Sequence, residues 1–129
     1  MAKDDMITVK ELNTYAGCEK YRDIVVVGAG ASLQDHSASI TKFINVKNLI
    51  SIGVNKITHI ITEPDYHLWT NNKQLRDQRG CISPSSHLML GCGITEDLIE
   101  EVARSYTRIN YVSKPYLKPS VANGVIYGH

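Results

Sequence analysis

Four β-branched residues in a row, Ile24-Val25-Val26-Val27, end abruptly at Gly28-Ala29-Gly30. Branching at Cβ favours an extended backbone. A run that is apolar on both faces suits a buried central strand of a parallel sheet. Such a strand cannot return through a tight hairpin, because a parallel neighbour needs a crossover of about a dozen residues or more. The rest of the chain must therefore alternate strands with crossovers.

It does so over most of its length. Residues 48–54 read as a second strand ending at Asn55, and 66–70 as a third, with Pro64 at its entrance. Residues 87–90 read as a fourth, before Gly91-Cys92-Gly93, and 109–112 as a fifth. Between them, Ser32 is placed to cap a helix with Leu33, Ile40, Phe43 and Ile44 on its apolar side. A short polar helix covers 73–78. Thr95 caps the clearest helix, with Glu96 and Asp97 near its positive end and Leu98, Ile99, Val102, Ala103 and Tyr106 as its buried stripe. The expected fold class is α/β: a Rossmann-like open, mostly parallel sheet of about five strands with helices on both faces. The expected division is a helical lead-in over 1–23, where Thr8-Val9-Lys10-Glu11 has capping-box spacing, the sheet domain over 24–113, and an irregular tail over 114–129 that opens on Lys114-Pro115.

Composition narrows the partners. Fourteen Lys and Arg against 13 Asp and Glu leave a formal charge of +1, which excludes a polybasic nucleic-acid or membrane-surface binder. A hydrophobic fraction of 43% excludes intrinsic disorder. No apolar run reaches the ~18 residues of a membrane span, and Met-Ala-Lys-Asp-Asp-Met has no signal-peptide core, so a cytoplasmic location is expected. Cys18, Cys81 and Cys92 are widely spaced and form no Cys-x-x-Cys pair, and no two histidines stand at helical ligand spacing. No metal site and no disulfide framework is expected from that spacing.

The 28–32 loop carries the strongest chemical signal. Glycines at 28 and 30 let a backbone turn tightly and a ligand approach closely. The residues that follow open a helix, whose free N–H groups and positive end attract phosphate, and Ser32 adds a hydroxyl. The loop departs from the dinucleotide fingerprint, since Leu33 stands where that pattern has glycine or alanine and Asn55, not an acid, ends the second strand. Asn55, Asn71, Asn72 and Cys92 are expected at the same carboxyl edge, where asparagine could read ribose hydroxyls or a base edge, or simply cap a turn.

Taken together, Val26-Val27-Gly28-Ala29-Gly30-Ala31-Ser32-Leu33, Ile52-Gly53-Val54-Asn55-Lys56 and Pro64-Asp65-Tyr66-His67-Leu68-Trp69-Thr70-Asn71 resemble the 6-hydroxymethylpterin diphosphokinase MptE-like family. More distantly, the layout is similar to bacterial CMP-sialic-acid sialyltransferases. The resemblance implies a Rossmann-like transferase domain that holds ATP or a CMP-sugar type of nucleotide. Carried onto this chain, it sets Gly28, Ala29, Gly30, Ala31 and Ser32 against phosphate and Asn55 and Asn71 against the nucleoside. Ala31 replaces the family's proline, and Asn71 stands where many relatives have an aspartate able to hold Mg²⁺. Members of both branches continue beyond the position of His129, so the resemblance covers the N-terminal part of such a protein.

Two function classes follow. One is a nucleotide-dependent transferase, moving a glycosyl or diphosphoryl group, with His67, His87 and Asp65 as candidate acid–base residues. The other is a non-catalytic nucleotide-binding or assembly module, with Tyr116, Leu117, Val121, Val125 and Ile126 in the tail as a surface for homo-oligomerisation.

Overall fold

All five expected strands form, and they are mutually parallel. The computed structural model describes residues 22–102, 106–113, 118, 120–122 and 125–128, with side chains described at 22–102, 106–109 and 118. In chain order come β1 (Ile24–Val27), a 3-10 turn (Ala31–His36) running into α1 (Ser37–Lys47), β2 (Ile50–Val54) and β3 (Tyr66–Trp69). Then follow α2 (Asn72–Gln78), a 3-10 turn (Arg79–Cys81), β4 (His87–Gly91), α3 (Glu96–Val102), β5 (Tyr106–Ser113), β6 (Ser120–Ala122) and β7 (Val125–Gly128). The sheet order is β1-β2-β3-β4-β5-β7-β6. Strands β1 to β5 and β7 run parallel, and β6 returns antiparallel on β7.

This sequential order decides where the helices go. Crossovers between parallel neighbours are right-handed, so strands laid down one after another in one direction send every crossover to the same side. Register places Val25, Val27, Gly53, His67, Trp69, Leu88, Leu90, Tyr106 and Arg108 on one face of the sheet. That face carries the described helices. Leu33, Ile40 and Ile44 pack on Val25 and Val27 with Ile57, Ile60 and Ile61, while Leu75, Leu98, Ile99 and Val102 pack on Trp69, Leu88 and Leu90. The expectation of helices on both faces therefore narrows: among the described residues they cover one. The opposite face presents Ile24 and Val26 exposed, and Ile52, Val54, Tyr66, Leu68, His87 and Met89 half-buried.

Other local expectations are revised for physical reasons. Among the described strands β1 stands at the edge of the sheet, not at its centre. Gly30 holds the cap position before the first 3-10 turn, and Ser32 lies inside the turn. Phe43 is exposed, because α1 turns Ile40 and Ile44 inward instead. Tyr106 opens β5 rather than extending α3, and packs on the core from the sheet. The tail read as irregular holds the short strands β6 and β7. The lead-in over 1–23 lies outside the described residues except for 22 and 23, as do the side chains of the apolar tail residues. No helix among the described residues is long and apolar enough to cross a membrane.

Candidate functional site

In a parallel sheet every strand delivers its following loop to the same edge. The carboxyl edge here gathers the 28–32 loop, Asn55, Thr70, Asn71, Asn72 and the Gly91-Cys92-Gly93 turn. Residues 28 to 32 are all exposed. A Cβ on Gly28 would meet nothing within 4 Å, and one on Gly30 only Leu33 at 3.5 Å. The helical segment that follows has no side-chain cap, since glycine offers none. The Leu33 N–H bonds to the Gly30 carbonyl at 3.0 Å, so the N–H groups that lack the partner a capping hydroxyl or carboxamide supplies are those of Ala31 and Ser32.

The asparagines at this edge are already engaged with the protein. Asn55 sits in the left-handed region, φ 55°, a conformation that asparagine tolerates better than most residues. Its Oδ1 accepts from the Thr70 and Asn71 backbone N–H groups at 2.9 and 3.4 Å, and its Nδ2 donates to Thr70 Oγ1 at 3.2 Å. Asn71 caps α2 by accepting from the Gln74 N–H at 3.0 Å. Asn72 Oδ1 accepts from the Thr95 N–H at 3.0 Å, joining the start of α2 to the start of α3. Of the two roles open to these residues in the sequence, turn capping is the one their hydrogen bonds display. They hold the ends of β2, β3 and β4 at fixed spacing beside the glycine loop.

Of the three acid–base candidates, one is buried beneath Asn55 and two lie at the other edge. His67 is fully buried on the helix-covered face, stacked on Trp69 with ring centroids 4.3 Å apart. Its Nε2 is 2.7 Å from the Asn55 carbonyl, and burial pushes its pKa down, only partly opposed by that hydrogen bond. His87 begins β4, at the amino edge, with Nε2 2.5 Å from Thr107 Oγ1, and burial lowers its pKa as well. Asp65 precedes β3, where its carboxylate accepts from the Ser51 N–H at 2.8 Å and the Ser51 hydroxyl at 3.2 Å. The amino and carboxyl edges are separated by a strand of four residues, roughly 13 Å. Neither His87 nor Asp65 therefore joins the glycine loop. Asp65 instead borders a polar cleft at the amino edge that also takes in Arg22, Asn45, Ser51 and Glu63.

Sequence reasoning passed over Arg108. It is buried on the helix-covered face, opposite Leu90, and its Nη2 donates to the carbonyls of Cys92 at 3.2 Å and Ile94 at 2.7 Å. Nη1 is buried without a partner, as are His67 Nδ1 and Trp69 Nε1. Arg108 thereby pins the turn after β4 from beneath. An arginine inside an apolar strand pattern was the available signal. Cys81 and Cys92 are exposed free thiols. Among the described residues no three His, Cys, Asp or Glu side chains converge as metal ligands. No family model, curated protein or solved structure matches the chain.

Proposed function

We propose that the chain is a nucleotide-binding domain of transferase-like layout, with phosphate against the 28–32 loop and the nucleoside along the ends of β2 and β3. The observation that carries this reading is the exposed, uncapped start of the helical segment after β1, reached through Gly28 and Gly30. An anion is the natural partner of such N–H groups. Ser32 lies at the same place with an exposed side chain. The resemblance to diphosphokinases and CMP-sugar transferases points to ATP or a CMP-sugar as the nucleotide. Asn55 and Asn71 contribute first by shaping the edge.

Binding is the better supported half of this reading. The sheet order has no reversal between β1 and β5, so the loop is flanked by a neighbouring strand on one side only, not set in the crevice of a strand-order switch. His87 and Asp65 stand at the opposite edge, and His67, although its Nε2 meets the Asn55 carbonyl, is fully buried beneath the surface. That separation favours the non-catalytic nucleotide-binding module over the transferase as the second reading.

Thermal melting with ATP, CTP, CMP and NAD tests the proposal. At a hundred times its Kd, a nucleotide bound to the folded state adds about 2.7 kcal/mol. ATP or a cytidine nucleotide should raise the melting temperature. Ser32→Ala should weaken that rise while leaving the ligand-free melting point unchanged. No rise with any of the four overturns the proposal, and a rise indifferent to Ser32→Ala overturns the site. Asn55→Ala is unsuitable as a site variant, because it also unties β2 from β3.

A further inference from the structure

Among the described residues the large apolar side chains left exposed are Ile24 at 49%, Val26 at 63%, Phe43 at 54% and Val46 at 71%. All four belong to β1 and α1, the strand–helix unit at one end of the sheet. β1 hydrogen-bonds to β2 alone among the described strands, so no described strand takes up the N–H and C=O groups along its outer edge. Edges of this kind are commonly blunted by lysine, proline or a bulge. Ile24-Val25-Val26-Val27 has no lysine and no proline.

Phe43 and Val46 lie on the same side of the molecule as that edge. Ile40 and Ile44 point down onto the core, while Thr41 and Asn45 flank a cleft against Ser51, Ile61 and Glu63, toward the middle of the sheet. At about 100° per residue, Phe43 and Val46 stand roughly 200° and 140° round the helix from Thr41. They therefore face away from β2 and β3, above the free edge. The result is a two-layer surface with a strand edge below and an apolar helix flank above.

We infer that this surface pairs with a second copy of the chain, β1 running antiparallel to the partner's β1 and α1 packing beside the partner's α1. Unpaired backbone groups on an edge are matched by another strand, and the apolar helix flank above them is matched by an identical layer. A two-fold axis closes the contact, whereas a head-to-tail arrangement would propagate. Charge also complements across such an axis. Asp35 lies in the turn that opens the helical segment and Lys47 in its last turn, so antiparallel helices set each acid toward the partner's Lys47. On the strand itself, Ile24-Val25-Val26-Val27 carries no charge, so no like charges meet along the paired residues. This contact lies at the opposite end of the sheet from β6 and β7, and so differs from association through the tail.

Sedimentation equilibrium of the full 129-residue chain, from micromolar to millimolar concentration, tests the inference. The chain should sediment at twice its own mass at the upper end. Val26→Lys and Phe43→Asp, both at exposed positions, should weaken association at least tenfold while leaving circular dichroism and melting unchanged. Mixing Val26→Lys with Val26→Asp should restore association, because the two-fold brings these positions close together. Glu100→Lys, on the exposed side of α3, should change nothing. A wild-type chain that stays monomeric throughout, or association that survives both Val26→Lys and Phe43→Asp, overturns the inference. A Val26→Lys and Val26→Asp mixture that stays monomeric overturns the strand pairing.

Discussion

Replacing Gly53 by alanine tests how tightly the crossover between β2 and β3 is packed. Gly53 lies in β2 on the helix-covered face, between Val27 and His67. A Cβ there would stand 2.5 Å from Ile57 Cδ1, 2.7 Å from Ile57 Cγ1 and 3.4 Å from Pro64 Cγ. Carbon atoms pack best at about 3.5–4.0 Å, so the first two contacts are strongly repulsive. Ile57 is fully buried and packs with Val27, Ile60 and Ile61, which leaves it no open space to swing into. Overpacking of this kind costs about 1–3 kcal/mol. Alanine regains about 0.4–1 kcal/mol by restricting the unfolded chain. The net expectation is a loss of about 1–2 kcal/mol, which lowers the melting temperature by roughly 3–8 °C in a domain of this size. Urea denaturation of Gly53→Ala gives the figure directly. The cause is isolated by repeating the substitution in Ile57→Val, which lacks Cδ1, the nearest atom. There the alanine should cost at least about 0.5 kcal/mol less, a coupling of the size found between touching residues. Equal costs in the two backgrounds, or stabilisation by Gly53→Ala alone, would refute the packing argument.

Two other sites respond to substitution in ways the structure specifies. His67 is buried with its pKa pushed down, so between its folded value and the ordinary value near 6.5 the unfolded chain binds more protons. Its contribution to stability is complete above about pH 6.5 and is lost as pH falls toward the folded pKa, with a slope of up to about 1.4 kcal/mol per pH unit. His67→Gln should flatten that acid limb in urea melts between pH 4.5 and 7. An unchanged slope would show that His67 does not contribute, the lowered pKa of His87 adding a limb of the same sign in both proteins. Asn55→Ala removes acceptor contacts to the Thr70 and Asn71 N–H groups and leaves alanine at φ 55°. A loss of about 1–3 kcal/mol is expected. Asn55→Gly should lose less, since glycine accepts that backbone conformation. Equal losses would mean that the left-handed backbone is not the source of the difference.

The strands were legible because each is a compact apolar run, β-branched in β1 and aromatic in β3, set between turn-forming residues, and local sterics alone fix such a signal. Their order was not. A chain of parallel strands and right-handed crossovers reads the same whether β1 stands in the middle of a sheet or at its edge, because no residue within a strand names its neighbour. The single-sided helix layer follows from order, so it was hidden for the same reason. At the site, the glycine loop was legible as a turn entering a helix, and it is one. Asn55 and Asn71 were legible only as two alternatives, since a carboxamide that caps a turn and one that reads a nucleoside have the same side chain. The neighbouring N–H groups decide between them, and those come from strands distant in sequence. Arg108 was missed because one charged residue in an apolar strand usually faces water, whereas here register turns it to the covered face, under the loop after β4.

β1 shows where pattern and position part company, and the mismatch is informative in itself. Its composition suits burial on both faces, the environment of a central parallel strand. In the described structure Val25 and Val27 receive that environment from α1 and the 57–61 segment, while Ile24 and Val26 do not. A strand of this composition at an open edge is unfavourable for an isolated molecule, because apolar surface and unpaired backbone groups meet in one place. Antiparallel pairing with the partner's β1 would supply hydrogen bonds along the edge. The flanking pair of α1 helices would cover Phe43 and Val46 at the same time. The residues that misled the assignment of β1 to the centre of the sheet are therefore the residues on which self-association depends, and Val26→Lys tests both points at once. If the strand is written for a neighbour, a lysine there abolishes pairing and leaves the monomer folded. If its apolar face serves the monomer alone, the lysine lowers the melting temperature and leaves the sedimenting mass unchanged.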